Sequence, residues 1–136
     1  DEVFVGTDRG WVYAFSMADG SQWWSAQVSG PITGLANDGA RLFAAASDGS
    51  VYAWDAATGA ALWALNAGST ISGPPLTDGS FVLIGTDAGN ALYIDAASGV
   101  EAAERRLSLG EPILSVAPAG GWLFLRTGSN IYGIGP

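Results

Sequence analysis

Short apolar segments alternate with polar turn residues along the whole chain, and inside each segment apolar and polar side chains alternate in steps of two. The pattern is clearest where Asp-Gly or Thr-Gly pairs at 38–39, 48–49 and 58–59 separate four such segments. A period of two is that of a β-strand, and these pairs favour tight turns because Gly readily adopts a positive φ. The pattern predicts four antiparallel strands joined by hairpins, at 33–36, 41–45, 51–55 and 61–65.

The segments recur along the chain with a regular period. VYAF at 12–15 returns as VYAW at 51–54, DAATG at 55–59 returns as DAASG at 95–99, and IYGI at 131–134 belongs to a partial fourth copy. The same spacing relates a set of glycines and tryptophans, namely Gly20, Gly59 and Gly99, and Trp24 and Trp63. A four-stranded sheet that repeats every ~40 residues is typical of β-propeller blades.

We therefore predict an all-β fold in which β-propeller blades, each a four-stranded antiparallel meander, form a partial ring of about three and a half blades. The chain is predicted to be a single propeller domain, with blade units at about 1–30, 31–69, 70–110 and 111–136. Residues 101–106 come nearest to a helical pattern, but they align with the fourth strand of the preceding unit, so we predict a strand there.

The repeat unit resembles that of the pyrroloquinoline quinone (PQQ)-like β-propeller family. VYAWDAATG at 51–59, followed by Trp63, fits the family pattern closely, and VFVGTD at 3–8 fits its upstream strand. The third unit keeps LYIDAASG at 92–99 but has Ala103 where the pattern has Trp. The resemblance implies that the Trp of the outer strand docks between neighbouring blades, against the Gly of a turn.

Two groups of residues follow from this resemblance. The structural docking residues are Trp24, Trp63, Gly20, Gly59 and Gly99. Trp11, Trp23 and Trp122 lie outside the docking position, and Trp11 is the best single aromatic candidate for a contact surface because it follows a predicted turn.

Composition narrows the chemistry that the chain can support. The formal net charge of −8, with five Arg and no Lys, disfavours nucleic acids and anionic lipid surfaces as partners. The sequence has no Cys and no His, so it lacks a thiolate nucleophile, the usual general base and the commonest metal ligand. We predict no catalytic, cofactor-binding or metal-binding residues.

Two polar motifs leave alternatives open. Residues 86–90 (TDAGN) carry several oxygen ligands in a tight loop, which fits either a calcium site or, preferably, a plain turn. Arg105 and Arg106 form a basic pair on an acidic chain, which we interpret as a solvated strand edge, with contact to an acidic partner as the alternative.

The leading prediction is a non-catalytic binding, scaffolding or sensor module. The PQQ-like resemblance includes the propeller lipoprotein of outer-membrane barrel assembly and sensor domains of bacterial kinases, so an extracytoplasmic location is slightly favoured. The first and last units lack strands, which indicates part of a larger propeller or an arc that associates with a second copy. Predicted partners are a protein or peptide, further blades or another copy. The alternative is a fragment of a PQQ-dependent oxidoreductase whose cofactor site lies mostly in other blades.

Overall fold

The computed structural model describes residues 1–135, and these form fourteen β-strands and one short turn of 3₁₀ helix. The first sheet contains β1 (Glu2–Gly6), β2 (Trp11–Ser16) and β3 (Gln22–Gln27). The second contains β4 (Ile32–Asn37), β5 (Arg41–Ala46), β6 (Ser50–Asp55) and β7 (Ala61–Asn66). The third contains β8 (Leu76–Thr77), β9 (Phe81–Gly85), β10 (Asn90–Asp95) and β11 (Leu107–Ser108). The fourth contains β12 (Ile113–Ala119), β13 (Trp122–Thr127) and β14 (Ile131–Ile134).

Each sheet is an antiparallel meander in which every strand pairs with the strand that follows it in the chain. In the second sheet Ala45 lies opposite Val51, and Val51 lies opposite Leu65. The four strands predicted within 33–65 therefore form, each within one residue or so of its predicted bounds. The predicted all-β fold of propeller-type antiparallel sheets is confirmed.

Successive sheets pack face to face, and the alternation of side chains along each strand decides which neighbour a residue meets. On β5, Leu42 and Ala44 belong to the core shared with the first sheet, whereas Phe43 belongs to the core shared with the third sheet. All three are at most 1% exposed. The inner sheets are thus apolar on both faces, which explains why β5 is an almost continuous apolar run instead of an apolar-polar alternation.

The prediction of a strand at 101–106 is wrong, because Ala103–Arg105 form a turn of 3₁₀ helix. The backbone N–H groups of Ala67 and Leu109 make equivalent bonds, to the carbonyls of Gly49 and Gly89. Ala67 lies eight residues after Gly59, whereas Leu109 lies ten residues after Gly99. The outer strand of the third sheet therefore carries two extra residues, and the chain absorbs them in the 3₁₀ turn instead of extending the strand.

Helical structure in residues 1–135 is confined to this three-residue turn, and no helix there has the length and apolar character needed to cross a lipid bilayer.

The packing predicts that Ala substitution of two equivalent phenylalanines lowers the free energy of unfolding by very different amounts. Phe43 is fully buried, whereas Phe124, at the same strand position two units later, is 36% exposed. We expect Phe43→Ala to lower the free energy of unfolding by about 3–5 kcal/mol, because it leaves a cavity between sheets. Phe124→Ala should cost about 1 kcal/mol or less. Urea denaturation followed by circular dichroism measures both, and equal losses would contradict the assigned core.

Candidate binding surfaces

Trp24 joins the first sheet to the second. It lies on β3 opposite Ala14 and is 8% exposed. Its indole Nε1–H donates a hydrogen bond of 2.8 Å to the backbone carbonyl of Ala56 in the neighbouring sheet. The ring covers Gly59 so closely that a Cβ built on that glycine would lie 2.6 Å from Cδ2 of the indole. Any side chain at Gly59 would therefore displace the indole.

Trp63 makes the same contact between the second and third sheets. Its Nε1–H donates to the carbonyl of Ala96 at 3.0 Å, and a Cβ built on Gly99 would lie 2.6 Å from the indole. Its ring also packs on Phe43, with centroids 5.8 Å apart. A buried indole is suited to this position because it fills a wide gap and its one donor is satisfied by a backbone carbonyl.

Gly20 lies in the equivalent turn of the first sheet, but no indole covers it. Its φ of 73° is the same as that of Gly59 and Gly99. Apart from Gly20 itself and its two chain neighbours, nothing among residues 1–135 lies within 4 Å of a Cβ built on Gly20. The structure thus brings Trp24 to Gly59 and Trp63 to Gly99, and leaves the turn at Gly20 open.

Trp11 is partly buried and lies on the face of the first sheet that points away from the second sheet. Its ring stacks on Tyr13 at 5.8 Å, and Tyr13 stacks on Phe15 at the same distance. Val3 and Val5 pair with Phe15 and Tyr13 and are 45% and 42% exposed. We call these five residues the leading face. Sequence reasoning singled out only Trp11, although the other four could have been found from the buried residues one repeat further along the chain.

The outer side of the fourth sheet carries a second apolar surface, which we call the trailing face. It includes Trp122, Phe124 and Ile131, which are 47%, 36% and 70% exposed. Phe124 and Ile131 correspond to Phe43 and Val51 in the second sheet, both of which are fully buried. The side chains that form a core inside the arc are therefore open at this end.

The recurring aspartates close turns. The hydroxyl and backbone N–H of Thr58 donate to Asp55 at 2.8 and 2.9 Å and hold the pKa of that carboxyl below its usual value. Ser98 lowers the pKa of Asp95 in the same way, through its backbone N–H and then its hydroxyl.

In the loop at 86–90, Asp87 accepts a bond of 2.7 Å from the hydroxyl of Ser72. Residues 1–135 contain no group of three or more acidic side chains placed to hold a metal ion.

Glu111 ties the segment before β12 to the turn between β13 and β14. Ser129 Oγ and Asn130 Nδ2 donate to its carboxylate at 2.7 and 2.9 Å. These bonds, that of Ser129 first, lower the pKa of Glu111 to about 2. The carboxylate is ionised at neutral pH and acts as a clamp within the fourth sheet.

The two arginines of the basic pair, Arg105 and Arg106, contact different partners. Arg106 donates two bonds of 2.6 Å to the carboxylate of Glu101. The guanidinium of Arg105 instead lies over the ring of Phe81, 4.8 Å from its centroid, which is a cation–π geometry. Arg105 is therefore the member of the pair whose charge stays available to a partner.

The docking geometry predicts that Ala substitution lowers the unfolding free energy by different amounts at two glycines of identical φ. Gly59→Ala and Gly20→Ala should share the strain of a positive φ, about 1–2 kcal/mol. Gly59→Ala should cost a further ~1–3 kcal/mol, because its methyl group collides with Trp24. The difference in unfolding free energy, with a red shift of tryptophan fluorescence for Gly59→Ala alone, measures the contact. Equal effects of the two changes would show that the indole is not held against the turn.

The Glu111 clamp predicts a pH dependence of stability. The pKa of Glu111 is about 2 in the folded chain, compared with an ordinary value of 4.5. The carboxylate therefore stabilises the fold above pH 4.5, and this stabilisation is lost as the pH falls towards 2. We expect the difference in urea midpoint between the wild-type chain and Glu111→Gln to shrink over that window. Glu104→Gln, at an exposed carboxylate of the 3₁₀ turn, serves as control. A difference that stays constant with pH would rule out the clamp.

Comparison with known proteins places this arrangement in a family. A family model described as outer membrane protein assembly factor BamB matches residues 1–113 and 51–132. No curated protein sequence matches the chain. Among solved structures, BamB from Moraxella catarrhalis superposes with a TM-score of 0.83 at 19% identity, over 98% of this chain and 42% of that chain. The chain thus spans about two-fifths of the length of that BamB.

Two other solved structures share the fold. The computationally designed Ika4 protein has a TM-score of 0.87 at 17% identity, over 98% of this chain and 84% of that chain. A europium-containing methanol dehydrogenase has a TM-score of 0.65 at 24% identity, over 74% of this chain and 22% of that chain. Identities this low show the fold alone. The family model, however, covers most of the sequence, so the chain belongs to the PQQ-like β-propeller repeat family described as outer membrane protein assembly factor BamB.

Proposed function

We propose that this chain is a non-catalytic binding and scaffolding module whose end faces hold further propeller blades, either from a larger propeller or from a second copy. The observation that carries the proposal is the leading face. Val3, Val5, Tyr13 and Phe15 correspond, one repeat earlier, to Leu42, Ala44, Tyr52 and Trp54. The latter four pack in the core between the first and second sheets. The leading face therefore has the composition of a surface that is covered by another sheet.

The trailing face supports the same interpretation from the other end. Phe124 and Ile131 stand where Phe43 and Val51 stand in the second sheet, and those two residues pack against the third sheet. Contiguous exposed apolar surface marks interaction sites in soluble proteins. A leading face on one arc and a trailing face on another would reproduce the contact that already occurs between sheets inside the arc. Such a head-to-tail contact joins two different surfaces and is therefore heterologous. Further arcs stop adding once the ring closes.

The family adds a proposed setting. A family described as an outer membrane protein assembly factor works where outer-membrane proteins are assembled, so we propose an extracytoplasmic location and a protein or peptide partner. The net charge of −8 favours a neutral or basic partner and disfavours nucleic acid. The alternative, part of a quinoprotein oxidoreductase, rests on a likeness of fold alone.

A charge placed on the leading face tests the proposal. The chain has a mass of 13.8 kDa, and light scattering on a sizing column should find a larger mass that rises with concentration. Val5→Glu should weaken this association by at least about tenfold, because it forces an unpaired carboxylate into an apolar contact. The matched control is Leu62→Glu, at a residue that is 47% exposed on the outer strand of the second sheet and away from both faces. A monomeric wild-type chain would refute the contact with a second copy, and equal effects of the two changes would refute the leading face as the contact surface.

A further inference from the structure

We propose that a cavity between the third and fourth sheets binds an aromatic side chain of a partner peptide, with a carboxylate of that peptide held by Arg105. The inference rests on the proposed protein-binding function and deepens it, since it gives a site and a ligand chemistry for that function. The three contacts between sheets differ in what fills them.

The first two contacts are each filled by an indole, whereas the third is not. Trp24 and Trp63 fill the gap between their own sheet and the next one. In the third sheet the outer strand has Ala103 at the corresponding distance from the turn glycine, and the two extra residues turn the backbone into a 3₁₀ helix. A cavity of about 680 Å³ lies beside this segment.

The lining of the cavity corresponds to the surroundings of Trp63. Leu83 and Tyr93 line it from the third sheet, and one repeat earlier their positions hold Phe43 and Ala53, which belong to the core that Trp63 packs against. Ile134 lines it from the fourth sheet and corresponds in the same way to Ile94 of that core. The cavity thus occupies the space that an indole fills one contact earlier. An aromatic ring supplied by another chain would restore the same packing.

The edge of the cavity carries a positive charge. Arg105 lines it and lies over Phe81, which also lines it. No carboxylate among residues 1–135 lies within ion-pair distance of Arg105, and the nearby Glu101 pairs with Arg106 instead. Asp78 lines the cavity too, but its Oδ1 accepts bonds of 2.8 Å from the backbone N–H groups of Ser80 and Phe81.

These charges limit the ligand. One carboxylate next to an aromatic ring can reach the guanidinium while the ring enters the apolar lining, and charge-assisted bonds to Arg are among the stronger ones. A strongly acidic peptide is disfavoured because Asp78 lies at the site and the chain carries a net charge of −8. The ligand is therefore a segment with one aromatic residue and one nearby carboxylate.

The test uses the full chain and two probes that differ only in charge, N-acetyl-L-tryptophan and N-acetyl-L-tryptophanamide. Titration followed by ¹H–¹⁵N correlation spectra should shift the amides of Leu83, Tyr93, Leu123 and Ile134, and leave those around Gly20 unmoved. The carboxylate probe should bind about three- to tenfold more tightly than the amide, the range expected of one exposed charged contact.

Two variants test whether Arg105 is the charged group that holds the carboxylate of the probe. Arg105→Gln should abolish the difference between the two probes while both still shift the same amides, because only the charged contact is removed. Arg9→Gln, at an exposed arginine in the turn between β1 and β2, should keep the difference. Shifts that lie elsewhere, no shifts up to the solubility limit of the probes, or an unchanged preference in Arg105→Gln would each overturn the proposal.

The outcome is separable from that of the light-scattering experiment. Association that depends on Val5 without probe binding at the cavity would leave the proposed function standing and remove the site. Probe binding without association would remove the proposed contact between end faces and leave the peptide site. Spectra at several protein concentrations add a further check, since shielding of the lining amides by a second copy at high concentration would show that the cavity is part of the self-contact and would overturn the peptide site.

Discussion

The structure depends on one constraint, which is that a sheet of four short strands cannot bury its own faces. In the second sheet both faces are apolar, with Leu42 and Ala44 on one side and Phe43 and Ala45 on the other, and all four are at most 1% exposed. Only neighbouring sheets can remove that surface from water. Because burial of apolar surface is the main driving force for folding, each sheet is stable only as part of the stack.

The tryptophan contacts show how the repeat makes this stacking specific. Each indole combines a large apolar area with one hydrogen bond to the next sheet, and each requires a glycine beneath it. This arrangement fixes the register between sheets as well as their distance. Where the third sheet departs from the repeat, at Ala103 and the 3₁₀ turn, the packing is looser and a cavity remains. A local change of two residues thus turns a structural contact into a candidate binding site.

The two ends of the arc follow from the same constraint. A repeat has no intrinsic first or last member, so the leading and trailing faces carry the same types of side chain as the buried faces between them. The open turn at Gly20 is the clearest sign, since its backbone has the φ of the two turns that receive an indole. The proposed scaffolding role takes these faces as contact surfaces, whereas the proposed peptide site lies between two sheets and shares only Trp122 with the trailing face.

The sequence alone was sufficient for the fold class and for most strand positions, because alternation and turn chemistry are local and each copy of the repeat shows them again. Through the family resemblance it also predicted docking roles for Trp24, Trp63 and the turn glycines, and among residues 1–135 an indole lies on Gly59 and Gly99 but not on Gly20. It could not show that 101–106 would leave the strand, since that depends on how two extra residues fit between hydrogen bonds fixed at Glu101 and Leu109. Nor could it show how far each apolar residue of the end sheets is exposed, or that Arg105 and Arg106 take different partners. Those outcomes were decided by tertiary structure, because exposure and pairing depend on which sheets lie face to face and not on the pattern along any one strand.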